Sequence, residues 1–304
     1  MDVVLIILTL IMVGYISKVL NILNEEHAKI LNSIVIYFAM PSTIFLTIMK
    51  NVSSNQILNF LKLPMVIFIS FMLVGLLSYL LGKYIFKLED KKLGGLILVS
   101  MLGNTGFLGY PVILGMFGEI GLARAIFCDL GSVFATMLLG TYVGIRFGKS
   151  KNKSVLKEMI KFPPLLTGIL SIILIIFNFN LNYLPNFLLK SLNYLSSATV
   201  PLIMMSLGLS LSPKSLKFGI FWGLIASLFR FIISPTLSFT LSEIINIKGL
   251  DRNVLLVESS MPSAMMSLVL GTLYELDVKL IASSIFITTT LSLLVIAFWN
   301  WILC

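Results

Sequence analysis

Hydrophobic residues in this chain come in long unbroken blocks separated by short polar and basic stretches, with neither the one-sided spacing of a surface helix nor the alternation of a strand. A bilayer crossing needs roughly 20 apolar residues, and cutting the chain by that requirement gives about ten segments. The first five are approximately Val3 to Leu20, Ala28 to Met49, Pro64 to Gly82, Leu93 to Phe117 and Gly121 to Arg146. The second five are approximately Pro163 to Phe179, Ala198 to Leu211, Phe218 to Glu243, Val254 to Tyr274 and Val278 to Leu303. The seventh is short, with Ser191 to Ser197 leading into it as an amphipathic or interfacial piece. The pattern predicts an all-α polytopic membrane protein. The first block follows Asp2 with no basic stretch before it and no small-residue cleavage site before Asn21, which predicts a retained span rather than a signal peptide.

Two of the blocks contain residues that oppose a helix. Gly103-Asn104-Thr105-Gly106-Phe107-Leu108-Gly109-Tyr110-Pro111 lies in the fourth segment, and Ser259-Ser260-Met261-Pro262-Ser263-Ala264 in the ninth. Glycine opens backbone angles closed to other residues, and proline lacks an N–H and disrupts the helix around it. Hydrocarbon supplies no water to free backbone groups, so non-helical backbone at membrane depth is expected only where protein buries it or a polar cavity adjoins it. Paired interruptions in two halves of a chain point to a transporter binding site. Freed N–H groups at half-helix N-termini suit a carboxylate, freed carbonyls suit a cation, and Asn104 offers a donor and an acceptor. Thr105, Gly106, Pro111, Pro262 and Ser263 are the other candidate substrate-binding residues. A packing kink is the plain alternative for either break alone.

The halves repeat. Pro41 and Pro201 fall in the second segment of their halves, Leu96 to Ser100 matches Leu255 to Ser259, and Leu114 to Glu119 matches Leu270 to Glu275. Five segments per copy make the second copy enter from the opposite face, so an inverted repeat is expected, with residues 1–146 and 163–304 as the copies and a basic connector at 147–162. Loops after the odd-numbered segments carry most of the Lys and Arg. The opposite loops hold only Lys50, Lys62, Arg124, Lys190, Lys248 and Arg252. The bias predicts that both termini lie outside a cell (cytoplasmic or inner) membrane.

Composition agrees with this class: 58% hydrophobic and 12% charged residues over 304 positions, where soluble domains carry about 25% charged residues. The net charge of +9 reflects the loop bias, so the basic run near the connector reads as topogenic rather than nucleic-acid binding. Cys128 and Cys304 suggest neither a disulfide framework nor a metal site, and no cofactor is expected. An enzyme is disfavoured. The single histidine, His27, lies in a short loop, which rules out a membrane-embedded Ser-His dyad or an HExxH zinc site.

Three ionisable residues stand inside the segments: Asp129, Arg230 and Glu258. Such charges are expensive in a membrane and mark functional sites or buried partners. Glu258 lies one helical turn before Pro262. Arg230 is either an anion-binding or charge-relay residue or a permanent partner for Asp129 or Glu258.

Asn104 to Pro111, followed by Phe117-Gly118-Glu119-Ile120-Gly121, resembles the N-x-G-F-x-G-x-P and F-G-x-x-G pattern of the auxin efflux carrier family, which includes plant PIN carriers and bacterial malate and malonate permeases. Met261-Pro262-Ser263-Ala264 resembles the family's M-P-x-A break. The resemblance covers essentially the whole chain. It implies ten helices in two inverted repeats, with the fourth and ninth crossing as broken helices, and a distant likeness to bile-acid sodium symporters. By the same analogy, helices 1, 2, 6 and 7 form a scaffold panel and helices 3–5 and 8–10 a transport core, with homodimers formed through the panel. Glu258-Ser259-Ser260-Met261 resembles the symporters' E-x-x-M pattern, which implies a sodium site at Glu258 and Asn104 with Ser132 and Thr136. A proton on Glu258 or Asp129 is the alternative coupling ion. Tyr15, Tyr37 and Phe45 read as lipid or packing contacts before substrate contacts. The expected function is secondary active transport of a small organic anion, such as malate, malonate or an auxin-like acid, by elevator-type alternating access. The alternatives are a bile-acid-type sodium symporter for another anion, or a channel or substrate sensor on the same scaffold.

Overall fold

A computed structural model of the chain describes residues 2–149, 161–210 and 219–303. Most of the basic connector, the end of the seventh segment at Leu211, and Lys214, Lys217 and Cys304 lie outside the described residues. The described chain is a bundle of helices: α1 (Asp2–Val19), α2 (Glu26–Asn51), α3 (Ser54–Ile85), α4 (Asp90–Met101), α5 (Thr105–Phe147), α6 (Pro163–Ile176), α7 (Asn186–Ser210), α8 (Ile220–Ile244), α9 (Gly249–Ser259), α10 (Met266–Leu273) and α11 (Val278–Leu303). Six of them, α2, α3, α5, α7, α8 and α11, are long and apolar enough to cross a membrane. The protein is an all-α polytopic membrane protein.

Helix ends fall close to the boundaries expected from hydrophobicity, with two corrections. Ser191 to Ser197 are not a piece apart but the early turns of α7, a continuous helix of 25 residues with Pro201 inside it. Ser191, Asn193 and Ser197 each donate to a carbonyl four residues back, which absorbs the polarity that made this stretch read as interfacial. His27 lies not in a loop but in the first turn of a helix, where its Nδ1 accepts from the Asn24 N–H and the Asn24 side chain accepts from the Glu26 and His27 N–H groups. The single histidine thus completes a reciprocal cap.

Three of the prolines inside the long helices are accommodated by a recurring device. Wide π-turns at Val35–Ala39, Thr105–Gly109 and Phe229–Ile233 each end two residues before a proline, at Pro41, Pro111 and Pro235. A proline ring clashes with the carbonyl one turn back and leaves it without a donor, and an inserted residue lets the helix pass the clash and continue. Pro111 therefore sits at the start of a continuing helix and does not break it. The fourth-segment break lies further upstream, at Leu102 to Asn104. Gly118, with φ 65° and ψ −164°, turns α5 between its first part and the long stretch toward Phe147.

Packing sorts the helices into two groups. Helices α1, α2, α6 and α7 pack on one another. Helices α3, α4, α5, α8, α9, α10 and α11 form the other group, and the groups meet chiefly where α2 and α1 touch α5. Helices in a bilayer gain little from a hydrophobic effect between them and associate through close packing at small residues. The α1–α7 contact shows this: a Cβ at Gly14 would strike the Met205 carbonyl, and one at Gly208 would strike the Ile11 carbonyl. Gly208→Leu is expected to cost about 1–3 kcal/mol by overpacking. Its signature is a lower unfolding midpoint in detergent than that of the parent protein.

Candidate functional site

Both broken segments open at one place and bond to each other. Gly103 and Ser263 form an isolated antiparallel bridge. The Asn104 N–H donates to the Pro262 carbonyl at 2.8 Å, and the Ala264 N–H donates to the Leu102 carbonyl at 2.9 Å. Exchanging the two stretches exchanges these bonds.

The carbonyls at the ends of α4 and α9 would otherwise be orphans in a medium without water. Val99 O accepts from the Ser263 hydroxyl at 2.6 Å, and Leu98 O, which already accepts from the Leu102 N–H at 3.0 Å, takes a second bond from the Ser267 hydroxyl at 3.2 Å. Arg230, from the π-turn of α8, is fully buried and supplies the rest. Its Nη1 donates to Met101 O at 3.0 Å, its Nη2 to Ser259 O at 2.9 Å and its Nε to Met261 O at 2.8 Å. The guanidinium also lies over the Phe71 ring, 4.8 Å from its centroid. Among the described residues Arg230 makes no direct ion pair with Asp129 or Glu258, and its hydrogen bonds go to backbone carbonyls instead. The partners are the ends of two half-helices, where a cation opposes the partial negative charge of both dipoles.

The glycines of the first break now have a spatial reason. A Cβ at Gly103 would strike the Arg230 guanidinium, one at Gly106 would come within 3.2 Å of the Asp129 carboxylate, and one at Gly109 would strike the Glu258 carboxylate. Glycine at every third position thus gives each intramembrane charge room against the same short stretch of backbone.

The two carboxyl groups are held differently. Asp129 accepts from the Thr105 hydroxyl at 2.5 Å and the Tyr110 hydroxyl at 3.0 Å. Glu258 is fully buried, and among the described residues neither of its oxygens has a hydrogen-bond partner. Ser132 donates to the Gly103 carbonyl at 3.5 Å and Thr136 to the Ser132 carbonyl at 2.8 Å.

A cavity of about 540 Å³ lies between the two helix groups. Its walls include Ile6 of α1, Thr43, Thr47 and Lys50 of α2, Asn193, Ser196 and Thr199 of α7, and Tyr110, Pro111 and Glu119 of α5. Thr43 shares hydrogen bonds with Ser196 and Thr199 at 3.0 and 2.7 Å, and Lys50 donates to Asn193 at 3.3 Å. Tyr110 joins this cavity to Asp129 and, through Thr105, to the break. A separate space of about 10 Å³, room for a single water, is lined by Asn104, Phe107, Asn32, Ser206 and Met265.

Of the expected substrate-binding residues, Pro111 lines the large cavity and Asn104 the small one. Thr105 and Gly106 lie against Asp129. Pro262 and Ser263 are buried in the crossing, where their carbonyl and hydroxyl are engaged. Tyr15, Tyr37 and Phe45 do not line the large cavity. Sequence reasoning missed Tyr110, Lys50 and the Thr43–Ser196–Thr199 cluster. Tyr110 carried a signal, since it lies inside the break motif. The hydroxyl cluster carried none, because Thr43 is more than 150 residues from Ser196 and Thr199.

A bundle of membrane-spanning helices, with two interrupted helices crossing beside a polar-lined cavity, is the arrangement expected of a membrane transporter. The chain belongs to the membrane transport protein family, the auxin efflux carrier family of its motif, whose sequence model matches residues 1–153 and 146–300. It is similar to an uncharacterized transporter of Methanocaldococcus jannaschii, 81% identical over 303 residues that cover 100% of this chain and 98% of the relative. It is also similar to an uncharacterized transporter of Methanothermobacter thermautotrophicus, 38% identical over 303 residues that cover 99% of this chain and 98% of the relative.

Arg230→Met is expected to leave three buried carbonyls without donors, at about 1–3 kcal/mol each. Arg230→Lys restores little, because an ammonium lacks the planar fork that reaches all three. Folded yield and the unfolding midpoint in detergent check both variants.

Proposed function

We propose that the protein is a secondary active carrier of a small organic anion, a carboxylate of malate or malonate size, that works by elevator-type alternating access. The observation that carries this proposal is the 540 Å³ cavity, because one wall is the helix group α1, α2 and α7 and the other belongs to the group that holds the crossing. Lys50 supplies a cation for a carboxylate, and Thr43, Thr47, Ser196 and Thr199 supply hydroxyl donors. At the crossing, the Thr105, Gly106 and Phe107 N–H groups precede the first bonds of the half-helix, which Leu108 and Gly109 make to Asn104 O. With Asn104, they form the binding element that meets the anion when the space between Asn104 and Asn32 widens. Pro262 and Ser263 act by holding the crossing together.

Elevator motion moves one rigid unit past another. Arg230, the Gly103–Ser263 bridge and the Arg124–Asp251 ion pair tie α4, α5, α8 and α9 into such a unit. The seam with α1, α2 and α7 contains the cavity. The ten-segment inverted repeat is supported by the exchangeable bonds of the crossing. Both termini face outward in a cell membrane, so the cavity end marked by Lys50, Glu119 and Asn193 faces outward too. Homodimers form through the scaffold panel.

Transport is coupled to a monovalent cation, a proton or sodium, received at Glu258. Asp129 already has two donors, whereas the Glu258 oxygens have none. Negative charge on a buried group of that kind calls for a cation beside it or a proton on it. The bile-acid-type symporter is the sodium form of this proposal.

The test is uptake of radiolabelled malate, malonate and an aromatic monocarboxylate into proteoliposomes under an inward sodium or proton gradient. Accumulation above equilibrium with one gradient, lost in Glu258→Gln and in Asn104→Ala, is expected. Equilibration alone indicates a channel, indifference to both gradients removes the coupling role of Glu258, and no uptake of any acid overturns the substrate class. Lys50→Gln is expected to raise the half-saturating concentration by about tenfold or more, the loss of one hydrogen bond to a charged group, and Tyr110→Phe to lower the maximal rate.

A further inference from the structure

A second cavity, of about 370 Å³, lies away from the seam, among α3, α4 and α5. Its sides are Met72, Leu76 and Tyr79 of α3 and Leu139, Tyr142 and Val143 of α5, and Ile97 and Met101 of α4 form its floor. Met72, Leu76 and Tyr142 are exposed at its rim, so in a membrane it faces hydrocarbon. From Met72 to Tyr79 it runs about 10 Å along α3.

One end differs from the rest. The Tyr79 and Phe147 rings meet there with centroids 6.1 Å apart. Lys83 Nζ stands over the Tyr79 ring at 5.4 Å from its centroid, and the Arg146 guanidinium over the Phe147 ring at 5.4 Å. Two cations are thus placed at the last turns of α3 and α5, where the apolar groove ends. Lys87 and Lys149 follow in the adjoining loops, and Lys91 and Lys92 in the first turn of α4. An apolar groove with cations fixed at one end matches an amphiphile with a hydrocarbon chain and an anionic head. Basic pockets between membrane helices on the lysine-rich side are recognised sites for anionic lipid head groups.

We propose that this groove binds an anionic membrane lipid, with one hydrocarbon chain between α3 and α5 and its phosphate against Lys83 and Arg146. The site is separate from the substrate cavity, but its floor is not isolated from the crossing. Met101 lines the groove with its side chain, and its carbonyl accepts from Arg230. The seated chain packs against the end of α4 and holds it in register with the crossing.

The experiment is lipid retention by the purified full chain in detergent. Phosphatidylglycerol and phosphatidylcholine with identical acyl chains are supplied in equal amounts, and bound lipid is read by native mass spectrometry. The wild-type protein is expected to retain one phosphatidylglycerol per chain, at least tenfold over phosphatidylcholine. Lys83→Gln with Arg146→Gln is expected to reduce retention to the phosphatidylcholine level. Leu76→Trp, at an exposed groove position, is expected to reduce retention of both lipids, and Tyr142→Ala to loosen the bound chain. Unfolding midpoints without added lipid establish that the variants are folded. Equal retention of the two lipids by the wild-type protein overturns the proposal, as does phosphatidylglycerol retention that neither the charge nor the groove variants change.

Discussion

Everything at the centre of this protein depends on how backbone polar groups are satisfied where two helices stop inside a membrane. Each interruption strands carbonyls at the end of one half-helix, and hydrocarbon offers no water to take them. The chain answers with a two-stranded bridge between the interruptions, hydroxyls from Ser263 and Ser267, and the three-way grip of Arg230. An arginine suits this task because its planar fork presents several donors at once and remains charged. The same bonds tie the two interruptions and α8 together at one point.

Charge placement centres on the same point. One positive and two potentially negative side chains share a short length of backbone, and glycines at 103, 106 and 109 give them room. Arg230 is spent on carbonyls, Asp129 is held by Thr105 and Tyr110, and Glu258 keeps two unpartnered oxygens. Tyr110 connects these charges to the large cavity, so a change at the break can be felt at the seam through only two hydrogen bonds.

Much of the architecture was legible because hydrophobic length is a local property. Every block expected to enter the membrane contains a helix, and the two breaks lie where glycine, asparagine and proline interrupt apolar runs. Local reading misjudged residues whose behaviour depends on neighbours. Pro111 looked like a breaker, yet the π-turn at Thr105–Gly109 lets the helix pass it. Ser191 to Ser197 looked like a separate lead-in piece, yet they are early turns of α7, and Ser191, Asn193 and Ser197 donate back to its own carbonyls. Arg230 looked like half of an ion pair, yet it reaches carbonyls 29 to 129 residues away.

The sequence by itself determined the class of protein, the helical segments and the places where helices give way, since each follows from the solvation of a short stretch of chain in hydrocarbon. Only the tertiary structure decided which donor meets which orphan carbonyl, which carboxyl group is left without one, and where the helix groups part to form a cavity. Those outcomes depend on side chains brought together from distant segments, and a hydrogen bond formed across such a distance leaves no periodicity in the chain that makes it.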